Sequence, residues 1–338
     1  MPGKKRPTQA DVAKQADVSQ AMVSYVINNN SAVSIPEETR RRILDAMHSL
    51  GYVPNVTARR LRASKTFTIA GVIPDITNPF YPAFERGIQD AADRYGYDLI
   101  MVNTDGTVER ERKCLSSMLQ GRVDGIVGVF FHLQAMDLSA LIEQGIGVVR
   151  FESMPKVPGT MPIDNIFIDN IAASRKAVEY LIDRGHRRIA MLTSQEGPAR
   201  FREIGYREAL EALDIAIDPT LLSLGAYSED GGYVAMNRLL QGQTRPGAVF
   251  AANDLMAMGA MIAIREAGLT IPRDIAIMGF DDIPTARLVY PALTTVAQFQ
   301  RDLGKRAAEM LFERLNGAAP PTGRSQQMPY KLIIRESA

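Results

Sequence analysis

The stretch Thr8 to Asn28, TQADVAKQADVSQAMVSYVIN, decides how the rest of the chain is read. Apolar residues fall at Val12, Ala13, Ala16 and Val18, then at Val23, Val26 and Ile27, a helical spacing broken once at Asp17-Val18-Ser19. The pattern predicts two short helices joined by a tight corner. Ser19 suits the N-cap of the second helix, where a hydroxyl accepts a backbone N–H. Val23 and Val26 then face inward, and Gln20, Ala21, Ser24 and Tyr25 face outward. An ordinary helical hairpin would show the same pattern, whereas a helix-turn-helix would lay its second helix in a DNA major groove. Charge separates the two. Through Lys65 the chain carries eleven Lys or Arg against five acids, and the remainder carries 28 against 33. A net charge of +1 therefore hides a basic head on an acidic body, the footprint of a phosphate-binding module.

A length of 338 residues suggests two to three domains, and a hydrophobic content of 46% is ample for a substantial core. The start, MPGKKRPTQ, is basic with no apolar run behind it, and no stretch reaches membrane-spanning length, so a cytoplasmic, nucleoid-associated protein is expected. Cys114 is the single cysteine, which rules out an internal disulfide and reads as a buried structural thiol. His48, His132 and His186 lie in separate contexts without metal-ligand spacing. There is no phosphate-cradling glycine loop and no GxSxG. No catalytic residue, metal or cofactor is expected.

A third helix opens at Ser34-Ile35-Pro36-Glu37-Glu38, with Ser34 as cap, Pro36 in the first turn and the acids at the positive dipole end. Ile43, Leu44, Met47 and Leu50 form its apolar stripe and Gly51 ends it. A short polar helix from Asn55 to Leu61 follows, with Leu61 as its only large apolar side chain, then a linker from Arg62 to Thr66. So little apolar surface predicts a segment that orders only against DNA and a second copy of itself. Beyond Phe67, apolar runs at 68–74, 97–103, 123–130, 146–151, 188–193, 247–252 and 275–280 alternate with amphipathic stretches near 81–95, 108–120, 170–184, 201–213, 229–241, 254–267 and 301–316. Such alternation predicts an α/β fold of parallel sheets flanked by helices, split near Asn165 to Asn170 into two lobes with a ligand cleft between them.

The segments TQADVAKQADVSQAMVSYVINN and VSIPEETRRRILDAMHSLGYVPNVTARRLR, followed by PDITNPFYPAFERGI, ANDLMAMGAM, IAIMGFDDI and PALTTV, resemble the lactose-repressor-like (LacI/GalR) bacterial transcription regulators in order along nearly the whole chain. The resemblance implies a helix-turn-helix headpiece (1–54), a hinge helix and linker (55–66), and a periplasmic-binding-protein-like core (67–338). Lobe 1 would take about 67–167 and 298–327, and lobe 2 about 168–297 and 328–338. It places base reading on Gln20, Ala21 and Tyr25, since Gln suits adenine and Ala a thymine methyl, and phosphate contacts on Thr8, Ser19, Ser24 and Asn28. Leu61 would be a minor-groove wedge, with Asn55, Ala58 and Arg59 lining the same groove. In the cleft, it points to Asp75, Asn78, Phe80, Tyr81, Glu152, Arg202, Tyr227, Asn253, Asp281 and Gln298, aromatic faces ringed by hydroxyl-binding groups, a composition suited to a sugar. Three departures stand out: Asp17 where the family usually has glycine, Tyr25 where arginine often sits, and Glu152 where many relatives have Asp. A homodimer on a pseudo-palindromic double-stranded operator, controlled by a small-molecule effector, is the expected assembly, and with no heptad helix after the LIIRE segment a dimer is expected over a tetramer. A nucleobase corepressor is the competing effector, and a stand-alone sugar-binding protein, which would have no use for the basic head, the competing class.

Overall fold

The computed structural model describes residues 7–27, 33–53, 65–156, 159–242 and 245–338. The expectations placed on Asn28, Asn55, Ala58, Arg59 and Leu61 lie outside the described residues. The chain divides into two compact units, Met1–Lys65 and Thr66–Ala338.

In the first unit, α1 (Gln9–Gln15) and α2 (Gln20–Ile27) meet α3 (Glu37–Leu50) around Val12, Val23, Val26 and Ile43. Thr8 and Asp11 form a reciprocal capping box at the start of α1. At the corner Asp17 takes a φ of 51°, the left-handed conformation that Asp and Asn tolerate better than other non-glycine residues, so the turn forms without glycine. The Ser19 hydroxyl accepts the Met22 N–H at 3.2 Å, as its position predicts. Two expectations for α3 need correction. Pro36 itself occupies the N-cap position and no side chain caps the helix, so Ser34 has no capping role. Leu44 is 49% exposed. The buried stripe runs Ile43, Ala46, Met47 and Leu50, and Leu44 sits about 100° around the helix from Ile43.

The second unit holds two lobes. Lobe 1 is a six-stranded sheet in the order β11-β5-β4-β3-β1-β2, formed by β1 (Thr68–Ile73), β2 (Asp98–Asn103), β3 (Gly125–Gly128), β4 (Gly147–Glu152), β5 (Ile163–Phe167) and β11 (Ser325–Gln327), all pairing in parallel. Alternation along β1 sends Ile69 and Ile73 to the face covered by α4 (Phe80–Tyr95) and α11 (Gln300–Leu315), and Ala70 and Val72 to the face of α5 (Val108–Met118) and α6 (Ser139–Glu143). Helices α4 and α11 pack backbone to backbone: a Cβ on Gly87 would lie 2.0 Å from the Arg301 carbonyl oxygen, and one on Gly304 would lie 1.9 Å from that of Phe84. Cys114 is buried in α5, and burial pushes its thiol up to about 11.

Lobe 2 is a four-stranded parallel sheet in the order β7-β6-β8-β9, from β6 (Ile189–Thr193), β7 (Leu222–Leu224), β8 (Ala248–Ala251) and β9 (Ala276–Met278). It is packed by α7 (Asn170–Asp183), α8 (Ala199–Glu211), α9 (Glu229–Leu240) and α10 (Asp254–Glu266) around Tyr206 and Phe250. The chain passes between the lobes after β5, again between β10 (Thr295–Ala297) and α11, and a third time between β11 and β12 (Lys331–Ile333), which pairs antiparallel with β10. Strand β11 is held beside β5 by Asp164, which is fully buried and accepts bonds from Arg314 at 2.6 Å and Arg324 at 2.8 Å.

Candidate functional site

On the headpiece, Gln20 and Ala21 are exposed and Ser24 and Tyr25 half-buried, and together with Gln9 they line one concavity of about 340 Å³. Gln9 was not legible as a surface partner from its own sequence position, because its proximity to α2 depends on the corner. Thr8 and Ser19 are both engaged in helix capping, Thr8 donating its hydroxyl to Asp11 Oδ2 at 2.7 Å.

In the core, all ten cleft residues singled out from the sequence line a single cavity of about 710 Å³ between the lobes. They reach it from loops at the C-terminal ends of strands, where open parallel sheets bind ligands. Asp75, Asn78, Phe80 and Tyr81 follow β1, Glu152 ends β4, Arg202 lies in the first turn of α8, Tyr227 follows β7, Asn253 precedes α10, Asp281 follows β9, and Gln298 lies in the second crossover. Several serve local structure as well. Asn78 Oδ1 accepts the Phe80 N–H at 3.0 Å, Asp75 Oδ1 accepts from Thr77 N–H at 2.8 Å, and Asn253 Oδ1 caps α10 through Met256 N–H at 2.9 Å. The Asn253 side chain is almost fully buried and its Nδ2 finds no partner, and Gln298 Oε1 is likewise buried and unbonded. A buried polar group left without a partner costs on the order of 1–3 kcal/mol, so each atom has one hydrogen bond still to make.

Arg202 organises the lobe 2 side. Its Nε donates to Asn170 Oδ1 at 2.9 Å, one Nη donates to the Ala252 carbonyl and lies 3.7 Å from Asp281 Oδ1, and its Cζ stacks 3.7 Å over the Phe280 ring. Asp281 takes a further bond from Gln298 Nε2 at 2.6 Å, while its own N–H donates to Val296 at 2.8 Å. Its φ of 122° is a conformation that side-chain-bearing residues rarely adopt, held here by these bonds and by Gln300, which donates to the Asp281 carbonyl. Burial raises the Asp281 carboxyl above the ordinary range, partly offset by Arg202 and Gln298. Neighbouring Asp254, wholly buried, is raised by burial and by the Asp281 charge, and it serves structure by accepting from Thr295 Oγ1 at 2.5 Å and Ile283 N–H at 2.8 Å. Tyr81 and Tyr227 are both raised, first by burial.

On the lobe 1 side, Phe80 and Phe151 stack with centroids 6.0 Å apart, and Tyr81 meets Phe80 edge-on at 5.1 Å. Glu152 pairs with Arg150 at 2.8 Å and is held within 3.9 Å of Lys156. Burial raises its carboxyl, offset by those two cations. The sequence did not single out Asn170, Phe151, Asp105, Glu196 or Phe131, all of which line the cavity. Asn170 joins the lobes by donating from Nδ2 to the Ser153 carbonyl at 2.9 Å while holding Arg202. Phe131 lies between glycines of opposite lobes: a Cβ on Gly106 would sit 3.2 Å from its ring and one on Gly197 2.9 Å. Its loop is fixed by buried Glu111, whose carboxylate accepts N–H bonds from Phe131 at 2.7 Å, His132 at 3.1 Å and Leu133 at 2.9 Å. The shared signal was position, since all five lie in or beside segments that follow strands.

Among the described residues no group of three or more His, Cys, Asp or Glu is arranged to hold a metal ion, and no helix is long and apolar enough to cross a membrane. Residues 8–55 match the family described as bacterial regulatory proteins, lacI family, and residues 178–338 match the periplasmic binding protein-like domain. Catabolite control protein A of Priestia megaterium is 34% identical over 97% of this chain and 98% of its own length. The ribose operon repressor of Escherichia coli K12 is 36% identical over 97% and 98% respectively. Among solved structures, the Lac repressor bound to ONPG in the repressed state covers 99% of this chain and 100% of its own with a TM-score of 0.86 at 29% identity. The complex of the transcriptional regulator CelR with cellobiose covers 98% and 100%, with a TM-score of 0.73 at 32% identity. A helix-turn-helix headpiece, a two-lobed core with a polar and aromatic cleft, and this likeness along the full length lead to one conclusion: the chain belongs to the lacI family of bacterial regulatory proteins, DNA-binding transcription regulators controlled by small-molecule effectors and not enzymes.

Proposed function

We propose that this regulator is a homodimeric, cytoplasmic, nucleoid-associated repressor whose effector is a sugar or sugar derivative bound between the core lobes. The observation that carries the reading is the convergence of Arg202, Asp281, Asn253 and Gln298, each nearly fully buried, with the Phe80, Tyr81 and Tyr227 rings around one cavity. Directional polar groups at the edge of aromatic faces match a molecule that is apolar on its ring faces and hydroxylated at its rim. The ribose operon repressor among the relatives, and the solved neighbours holding cellobiose and ribose, support the same class. Gln20, Ala21 and Tyr25 would read bases of a pseudo-palindromic operator, Thr8, Ser19, Ser24 and Asn28 would hold phosphates, and the segment with Asn55, Ala58, Arg59 and Leu61 would enter the minor groove at its centre. In this division 1–54 form the headpiece, 55–66 the hinge and linker, and 67–338 the effector-binding and dimerising core.

Because the cavity is walled by both lobes, a bound effector changes the relative stability of their arrangements, and coupling of about 1–3 kcal/mol gives roughly a 5–150-fold change in DNA affinity. The stacked Phe80–Phe151 pair favours one competitor, a flat nucleobase corepressor. A thermal-shift screen of the full chain against monosaccharides, disaccharides and nucleobases tests the two together, since ligand at about 100 times its dissociation constant adds roughly 2.7 kcal/mol. Stabilisation by a sugar that falls by about half or more in Asp281→Asn is the expected result. Stabilisation by nucleobases alone would overturn the sugar reading.

A further inference from the structure

Resting on the reading of the cleft as a sugar site, we infer that the effector is an uncharged polyhydroxylated molecule and that phosphorylated and acidic sugars are excluded. The first ground is the charge of the wall. Five carboxylates line the cavity, Asp75, Asp105, Glu152, Glu196 and Asp281, against two guanidiniums, Arg202 and Arg238, and no lysine. Arg202 is buried and fully engaged, whereas Arg238 is exposed and holds one backbone carbonyl. Arg202 is bonded to Asn170, Ala252 and Asp281 and stacked on Phe280, and Arg238 donates to the Leu224 carbonyl at 2.6 Å. The cations that pair with Glu152 and Asp105, namely Arg150, Lys156 and Arg110, do not line the cavity, so they relieve repulsion among the acids without offering a partner to a ligand.

The second ground is the helix ends. A helix N-terminus is the other common seat for a phosphate or carboxylate. Four of those beside the cavity lining are occupied by side chains of the protein: Asn78 on the first turn of α4, Asp169 on α7, Ser228 on α9 and Asn253 on α10. Helices α8 and α11 have no side-chain cap, and just ahead of the first turn of α8 stands Glu196, with its carbonyl accepting the Ala199 N–H. Among the polar atoms of the lining that are buried without a hydrogen-bond partner are Asn253 Nδ2, Gln298 Oε1, the Tyr227 hydroxyl and Glu152 Oε1; three are neutral and suit a hydroxyl, the fourth belongs to an acid, and none gives an anion a positive charge to meet.

The test uses the full-length protein and two probes. Isothermal titration with neutral monosaccharides and disaccharides, each beside its 6-phosphate and its aldonic acid, should give binding by a neutral sugar, with the phosphate and acid weaker by about tenfold or more. Inorganic phosphate, compared with chloride at equal ionic strength, should produce no thermal shift that depends on Arg202. A phosphate or acid derivative that binds as tightly as its neutral parent overturns the inference, as does a phosphate-induced shift that Arg202→Ala removes. Binding by uncharged nucleobases in place of every sugar would overturn the sugar reading and with it the polyhydroxylated ligand, but the absence of a phosphate shift would still uphold the exclusion of anions. The two failures are therefore read separately.

Discussion

Replacing Asp281 by Asn isolates the carboxylate's contribution to effector binding from its contribution to folding. The exchange keeps the shape and the acceptor oxygen, so Gln298 Nε2, now 2.6 Å from Oδ1, retains its bond, and Arg202 keeps Asn170, Ala252 and the Phe280 ring. Asn also tolerates the positive φ of 122° as well as Asp does. Because burial already raises the Asp281 carboxyl, removing its charge should change stability by no more than about 1 kcal/mol. The sign of the pH dependence follows. An acid whose pKa is raised in the folded state contributes stability that is complete below its unfolded pKa and is lost as pH climbs through the folded one, and the Asn variant should lack that decline. Binding should suffer more. A hydrogen bond to a charged acceptor is worth about 1.5–3 kcal/mol, so the effector should bind roughly 10- to 150-fold more weakly. The assay is fluorescence anisotropy of labelled operator at fixed salt, titrated with the effector found in the screen. The response midpoint should move up by that factor, while operator affinity without effector and the melting temperature stay near wild type. An unmoved midpoint would refute the role given to Asp281.

Four further outcomes are expected. Glu85 is buried with neither carboxylate oxygen bonded, its head group lying where a Cβ of Gly71 would be, and burial pushes its pKa from 4.5 to about 8. Its neutral form favours folding, so stability should fall by roughly 3 kcal/mol between pH 4.5 and neutrality, and urea melts of Glu85→Gln should lack that slope relative to wild type. Asp164→Asn should cost about 3–5 kcal/mol in the same melts, since it leaves Arg314 and Arg324 without their buried partner. Burial opposes ionisation of Asp164 but the bonds from both arginines win, so its contribution is present above the unfolded carboxylate pKa and lost as pH falls through the depressed folded one, a profile absent from the variant. Phe131→Ala removes the ring that lies between Gly106 and Gly197 of opposite lobes, and stopped-flow rates of effector binding and release should both rise, with equal rates counting against a gating role. Asp17→Gly should leave the headpiece folded and operator binding near wild type, because Asp already holds the left-handed corner; a large gain in stability would show that Asp17 is strained there.

The alternation of strands and helices was legible because hydrophobic periodicity is local: the inward face of β1 and the stripe of α4 are each written within a few residues. The short strands β5, β7, β10 and β11 were harder, since three to five residues carry too little periodicity and exist by virtue of the partners they lie beside. Leu44 and Ser34 misled for a related reason. Each fits a local template, but the packing of α3 on α1 and α2 decides which side of the helix is covered and where it begins.

The sequence by itself determined the helix-turn-helix, the basic head and the α/β core, and its resemblance to the LacI/GalR regulators pointed to ten residues that line one cavity. Only the tertiary structure decided what those residues touch. Asn170 bridging Ser153 and Arg202, Arg202 and Gln298 meeting on Asp281, Phe131 crossing to Gly197, and Asp164 binding two arginines near the far end of the chain are contacts between distant segments. They are fixed by sheet register and by three passages between the lobes. The free energy of such contacts depends on distance and burial in space, and neither is a property of position along the chain.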